Sequence, residues 1–342
     1  MLGELSLKLE TLQRVTPRPV KHRAFTDLTK WQGKYYVAFR QSEHHMAYDG
    51  RLMVMSSEDL KRWQTTEWSA KCGLSNATFL DMGDRLFLYG IDRRGGKRYV
   101  CIVGSDGSVE PPQVIDAIEK GSLWRVKRIA DMYYGTIYFT TSPREADTHS
   151  DSESWLLCSE DGTNWKTLSL ILRGQEATET ELLNDGRGNL LAFIRRDGPR
   201  FPTLAVGFAR PPFTTWDITE TDRIIHAVAA CHWKGQIILV GRSMEEVFPN
   251  RHDGDDAEEG QIKALKERLN RKVSTKIWSW SSQSGLTELL TLPSQGDCSY
   301  AGIVPEKDRL VISYYSQHEQ IAADPDFSTL QGGAEVFVCT VT

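Results

Sequence analysis

Short apolar runs rich in β-branched and aromatic residues recur along the chain, separated by polar turn sequences. The clearest are KYYVAFR (34–40), RLFLYGIDR (85–93), TIYFTTSPR (136–144), NLLAFIRR (189–196), QIILVGR (236–242) and RLVISYY (309–315). They return roughly every 50 residues, a period that marks a repeat architecture. Turn signals precede most of them: Gln32-Gly33, Gly83-Asp84, Arg187-Gly188 and Lys234-Gly235. A further run follows each one: RLMVMSS, RYVCIVG, SWLLCSE, TLAVGFA, STKIWSW and AEVFVCT. The pattern predicts an all-β fold, a six-bladed β-propeller of four-stranded antiparallel blades spanning 1–342 as a single domain. The last copy reaches Thr342 without a fourth strand, and the N-terminal LSLKLETL is expected to supply it and close the ring. Closure leaves only short, protected strand edges. A β-sandwich, or two small β domains, is the alternative.

One segment interrupts the rhythm. Residues 243–272 form a charged insertion in the fifth blade, and its second half, AEEGQIKALKERLN, has helical composition with Ile262, Leu265 and Leu269 on one face. The expectation is a lid or a partner-contact segment over one mouth of the ring.

Composition narrows the function. The net charge is −5 with acidic and basic residues interspersed, which gives no support for nucleic-acid binding. No apolar run approaches the roughly 18 residues of a membrane span, so no membrane role is expected. The N-terminus lacks a basic segment followed by an apolar block. A cytoplasmic location is expected if Met1 is native, and a secreted or periplasmic one if a leader has been removed. The six cysteines, Cys72, Cys101, Cys158, Cys231, Cys298 and Cys339, are widely and irregularly spaced, several within strand-like runs, and read as buried thiols. No metal-ligand spacing occurs, and no metal or cofactor is implied. The oligomeric state is open.

Two repeats carry a Ser-x-Asp…Trp turn, SSEDLKRW (Ser57, Asp59, Trp63) and SEDGTNW (Ser159, Asp161, Trp165). The aspartate in such a turn accepts from local backbone N–H groups, a structural role. If these turns mark one face, the ends of the second strands share the other. Arg40, Arg93, Arg144, Arg195 with Arg196, and Arg242 fall there. Any one of them alone reads as a solvated strand end. Their recurrence at one position of the repeat predicts a ring of guanidinium groups, suited to gripping an anion. The starts of the first strands face the same channel with His22, Arg23, Asp27, Asn76, Arg125, Lys127, Glu179, Glu181, His226, Asp297, Ser299 and Tyr300. His318 and Glu319, with Tyr314 and Tyr315, follow the last second strand.

Together these features resemble the sialidase superfamily, whose propellers carry Asp-box turns of the Ser-x-Asp type. The resemblance implies an exo-glycosidase that removes a terminal acidic sugar from a carbohydrate substrate. Arg23 occupies the place of the family's first-strand arginine, without the following Ile-Pro. Asp49, in HHMAYDGR, stands where the family has its acid/base aspartate, beside His44 and His45. Glu179 or Glu181 precedes Arg195 as the family's glutamate precedes an arginine of its triad, and Arg242 matches the third. Tyr300 in DCSYAG corresponds to the nucleophilic tyrosine. On this pattern Tyr300 is nucleophile, Glu179 or Glu181 its base and Asp49 the acid/base. Arg23 (or Arg40), Arg195 and Arg242 form the clamp, with Asp27, Asn76, His226 and His318 as further contacts. A neutral phenol suits a substrate whose anomeric centre bears a carboxylate, since an anionic nucleophile is repelled.

Two other readings remain open from the sequence. An arabinanase-like propeller glycosidase would use three carboxylates, for which Asp27, Asp131 and Glu181 are available. A non-catalytic glycan-binding propeller would need none of them.

Overall fold

The computed structural model describes residues 5–17, 21–68, 73–92, 96–115, 121–139, 152–197, 201–245, 273–324, 327–329 and 331–342. Its strands form six four-stranded antiparallel sheets. The first blade runs β2 (His22–Trp31), β3 (Lys34–Ser42), β4 (Arg51–Ser57) and β5 (Gln64–Trp68) from the axis outward. The second follows with β6 (Leu74–Asp81), β7 (Leu86–Asp92), β8 (Arg98–Val103) and β9 (Gln113–Val114). The third comprises β10 (Ser122–Ile129), β11 (Met132–Phe139), β12 (Glu153–Ser159) and β13 (Lys166–Arg173). The fourth comprises β14 (Ala177–Asn184), β15 (Leu190–Arg196), β16 (Ala205–Ala209) and β17 (Asp217–Glu220). The fifth comprises β18 (Ile224–Trp233), β19 (Gln236–Met244), β20 (Val273–Ser281) and β21 (Gly285–Thr291). The sixth is closed from both ends of the chain: β22 (Ser299–Pro305), β23 (Leu310–Ser316), β24 (Glu335–Val341) and then β1 (Leu9–Arg14), which pairs with β24 from Leu9↔Val341 to Arg14↔Phe337. A short helix, α1 (His318–Ala323), follows β23.

The expected hairpin signals form the turns. Gln32-Gly33 and Lys234-Gly235 both have positive φ at both positions (47° and 82°, 47° and 75°), the backbone that joins two twisted strands most tightly. Apolar residues of neighbouring blades interdigitate between them. Tyr36, Leu52 and Val54 of the first blade pack against Leu74, Phe79 and Leu88 of the second. Near the axis Gly302 has no room for a side chain, since a Cβ there would lie 2.1 Å from the backbone nitrogen of Leu28.

All six innermost strands carry a register shift at the same level: Ala24/Asp27, Ser75/Thr78, Leu123/Val126, Ala177/Thr180, His226/Ala229 and Ser299/Gly302. A bulge bends a strand and re-aims the side chains next to it. Phe25, Asn76, Ala227 and Tyr300 occupy the bulge with φ of 58°, 55°, 53° and 48°, positions that strain any residue but glycine.

Both Ser-x-Asp turns lie between third and fourth strands and are built alike. Asp59 Oδ1 accepts from the N–H of Lys61 (2.8 Å) and Arg62 (2.9 Å), and Asp161 Oδ1 from Thr163 (2.8 Å) and Asn164 (2.7 Å). Five cysteines, Cys101, Cys158, Cys231, Cys298 and Cys339, are free thiols. Cys72, Arg93, Arg144 and residues 246–272 of the insertion lie outside the described residues.

Candidate active site

The bulges gather one aromatic residue from each of three blades. The Tyr300 ring meets Phe25 and Trp124 edge-on, with centroids 4.8 and 5.3 Å away, and Tyr315 lies 6.0 Å from it. This cage aims the hydroxyl at the fourth blade, where it donates to Glu179 Oε1 at 2.7 Å. Arg195 Nη1 bonds Glu179 Oε2 at 2.6 Å and the Tyr300 oxygen at 3.2 Å. Burial, and then the neighbouring Glu179 carboxylate, push the Tyr300 phenol up from its ordinary pKa. The phenol therefore stays neutral and depends on Glu179 to receive its proton.

Arg195 is enclosed by carboxylates, since Asp197 Oδ1 takes its Nε at 3.0 Å and Nη2 at 2.8 Å. Burial opposes the Arg195 charge, but Asp197 and Glu179 outweigh it and raise its pKa. Arg242 stands across the phenol, its guanidinium carbon 5.3 Å from the Tyr300 ring centroid. Its Nε and Nη2 donate to the Cys298 carbonyl, and Nη2 also reaches Tyr315 Oη (3.0 Å) and Asp297 Oδ1 (3.2 Å). Among the described residues its Nη1 makes no hydrogen bond and is not one of the sealed-off polar atoms. That leaves one strong donor for a bound anion.

Asp297 is fully buried at the hub of a second network. Tyr315 Oη donates to its Oδ1 at 2.6 Å, His22 Nε2 sits on Oδ2 at 2.8 Å, and His45 Nδ1 meets the same Oδ2. Despite burial, the ring nitrogens of His45 and His22 hold this carboxyl well below the usual carboxylate range. Burial lowers both histidines, His45 to about 4. The ligand atoms of His22, His45 and Asp297 lie within 4.8 Å of one another, the spacing of a metal site. A dication there would sit beside the Arg242 guanidinium and displace two N···O bonds, so the trio reads as a hydrogen-bonded relay.

The other residues singled out from the sequence fall in different places. Arg23 turns to the side of its strand and bonds Gln41 Oε1 (2.7 Å) and the Pro17 carbonyl (2.8 Å), while its neighbour His22 points inward. Arg40 is buried under the β3–β4 loop and donates to the carbonyls of His44, His45 and Ala47 at 2.8–3.0 Å. Asp49 is exposed on that loop, with Oδ1 3.3 Å from the Glu43 N–H. Asn76 stands at the bulge of β6, its Oδ1 accepting from Ser75 at 3.1 Å. His226 is buried with Nδ1 3.6 Å from Asp197 Oδ1. His318 begins α1, bonds Ser316 Oγ at 2.9 Å and packs on Phe337.

Glu181 lies deeper along the axis, on Lys127 and 3.7 Å from Arg125. Arg125 is bound in turn to Asp27 Oδ1 (2.5 Å) and the Ala301 carbonyl (2.8 Å). These charges line a separate cavity of about 220 Å³ toward the far ends of the inner strands. Asp197 and the Phe25 and Trp124 rings were not singled out from the sequence. Asp197 directly follows the Arg195-Arg196 pair it supports, which was its available signal.

No family profile matches the chain, and no match is found among curated proteins. Solved structures do match in shape. A Trypanosoma rangeli sialidase in complex with the inhibitor DANA superposes with TM-score 0.62 at 12% identity, over 94% of this chain and 55% of the sialidase. The phage phi92 endosialidase gives 0.64 at 10% identity, over 97% and 69%. The parainfluenza virus 5 hemagglutinin-neuraminidase with DANA gives 0.60 at 8%, over 98% and 95%. A thermostable family-43 glycoside hydrolase gives 0.52 at 11%, over 81% and 96%. The chain thus spans little more than half the length of the trypanosomal enzyme. By fold it is a six-bladed propeller, similar in shape to these sialidases. Its neighbours in shape are carbohydrate-processing proteins.

Proposed function

We propose that the protein is a sialidase-like exo-glycosidase that hydrolyses a terminal acidic sugar through a covalent bond to Tyr300. The observation that carries this reading is the buried Tyr300–Glu179 hydrogen bond of 2.7 Å, with Arg195 on both partners. A phenol with a raised pKa is a poor nucleophile unless a base takes its proton as it attacks, and Glu179 is placed to do so. Glu179 rather than Glu181 is assigned the role, because Glu181 is engaged by Lys127 and Arg125. The substrate carboxylate is assigned to the open side of Arg242, with Arg195 fixing the base. A Trypanosoma rangeli sialidase of the same fold has been captured as a covalent intermediate with 2,3-difluorosialic acid, which adds weight to a covalent route. The residue that serves the leaving oxygen is drawn from the 43–50 loop, which carries both Asp49 and His45. The three-carboxylate alternative gains no support, since Asp131 is exposed in the β10–β11 turn and Asp27 is bound to Arg125.

The test is a panel of chromogenic sialosides and uronides with wild-type protein and Tyr300→Phe. Turnover of an acidic sugar by the wild type, lost in the variant while binding of the intact sugar persists, is the expected result. Binding without turnover by the wild type would establish a glycan-binding module instead.

A further inference from the structure

We propose that His45, positioned by Asp297, is the group that gives a proton to the leaving-group oxygen and recovers it from water, in place of Asp49. The inference rests on the reading of Tyr300 and Glu179 as nucleophile and base. The buried Arg40 guanidinium takes three carbonyls of the 43–50 loop, those of His44 (3.0 Å), His45 (2.8 Å) and Ala47 (2.8 Å), and fixes its path. Held this way, the loop turns His45 toward the axis and Asp49 toward solvent.

His45 Nδ1 lies on Asp297 Oδ2, and the His45 side chain keeps 15% exposure while Asp297 has none. One ring, Phe25, touches both His45 (5.3 Å between centroids) and Tyr300 (4.8 Å), so the imidazole and the phenol stand one aromatic ring apart. A carboxylate on Nδ1–H fixes the tautomer, assigns proton exchange to Nε2 and stabilises the imidazolium. Asp297 can hold that geometry because Tyr315, Arg242 and His22 fix it from other sides.

The chemistry balances over two steps. In the first, Tyr300 Oη bonds to the anomeric carbon, the bond from that carbon to the leaving oxygen breaks, the phenol proton passes to Glu179, and Nε2–H of His45 protonates the leaving oxygen. In the second, water attacks the anomeric carbon and loses a proton to His45 Nε2. The bond to Tyr300 breaks, and Tyr300 recovers its proton from Glu179. One water is consumed. Burial is the largest influence on His45 and opposes the imidazolium; among the charged or titratable groups acting on it, Asp297 favours that form and His22 and Arg40 oppose it. The acid form is thus populated only as the pH falls toward 4.

The experiment compares methyl and 4-nitrophenyl glycosides of the same acidic sugar, sialic acid first, with wild type, H45Q, D49N and Tyr300→Phe. H45Q is expected to lose roughly 10²–10⁴-fold on the methyl glycoside, whose leaving group needs a proton. It should lose far less for cleavage of the nitrophenyl bond, and added azide should yield a glycosyl azide and restore turnover. A misfolded protein gives no such rescue. The rival substitution D49N should show no leaving-group-dependent loss. The opposite pattern, dependence in D49N and none in H45Q, overturns the assignment of His45 alone. Absence of turnover in the wild type overturns this inference together with the reading beneath it.

Discussion

The Tyr300 hydroxyl donates to Glu179 Oε1 at 2.7 Å although the two residues lie 121 positions apart, in the sixth and fourth blades. Circular closure makes this pair, and the Phe25 and Trp124 rings leave the phenol one direction in which to point. Removing either partner should therefore abolish chemistry without unfolding the ring. Tyr300→Phe is expected to leave no turnover above background, and Glu179→Gln to lower kcat by roughly 10²–10⁴-fold. Thermal melts close to wild type, measured beside the kinetics, check that the loss is chemical.

Arg242 should set preference for charge. An arginine with Nε and Nη2 fixed on the protein is not replaced by a lysine, whose point charge cannot reproduce the fork. Arg242→Lys is expected to weaken binding of an anionic transition-state analogue by about 1.5–3 kcal/mol, the range for a charge-assisted hydrogen bond. A neutral analogue of the same ring should lose little. Calorimetric titration of both with both proteins checks it, and equal losses would remove Arg242 from the anion site.

The blade order was legible because apolar second strands and Gly-bearing turns are local signals, and the closing strand followed from counting. The inner ring was only partly legible. A bulge sits in every first strand, yet Phe25, Asn76 and Tyr300 mark it without glycine or proline, so nothing in the sequence announces which neighbour turns inward. That is why only His22 faces the axis where both His22 and Arg23 were expected to. Glu179 and Glu181 share a side of β14 but lie at different depths, and only the partners across the channel separate them. The inward turn of His45 depends on Arg40 gripping backbone carbonyls, an interaction no side-chain pattern records.

Acid should destabilise the fold before it protonates ordinary carboxylates. Burial lowers the pKa of His45 to about 4 and also lowers that of His22, whereas an unfolded histidine titrates near 6.5. Between those values the unfolded chain binds more protons than the native one. Stability is then full above about pH 6.5 and falls as pH drops toward the folded value, by at most about 1.4 kcal/mol per pH unit for each histidine. Asp297, with its folded pKa depressed, adds a loss only below the unfolded carboxylate range. Urea midpoints measured from pH 7 to pH 4 should show this slope, and H45Q should flatten it.

The Ser-x-Asp turns should matter for folding and not for turnover. Burial works against the Asp161 charge, but bonds from Asn164 and Thr163 lower its pKa overall. Asp161→Ala is expected to cost about 1 kcal/mol, since the site is largely solvated and screening trims the bonds. Its kcat and KM should match wild type. A change in KM would place this turn near the substrate, against the face assignment made from the strand order.

The Asp27–Arg125 pair gives the sharpest test of what holds the axis together. Asp27 Oδ1 lies 2.5 Å from Arg125 and Oδ2 takes the Phe79 N–H at 2.7 Å, so one carboxylate joins the first three blades. Asp27→Asn keeps an acceptor for Phe79 but leaves the buried guanidinium without its principal counter-charge. Breaking a buried pair from one side costs about 3–5 kcal/mol, much of it the penalty of the stranded charge. Arg125→Met removes that charge, so the double variant should be more stable than Asp27→Asn alone, by chemical denaturation at neutral pH. If the double variant is no better, Arg125 is compensated by Glu181 and the Asp27 bond contributes mainly through Phe79.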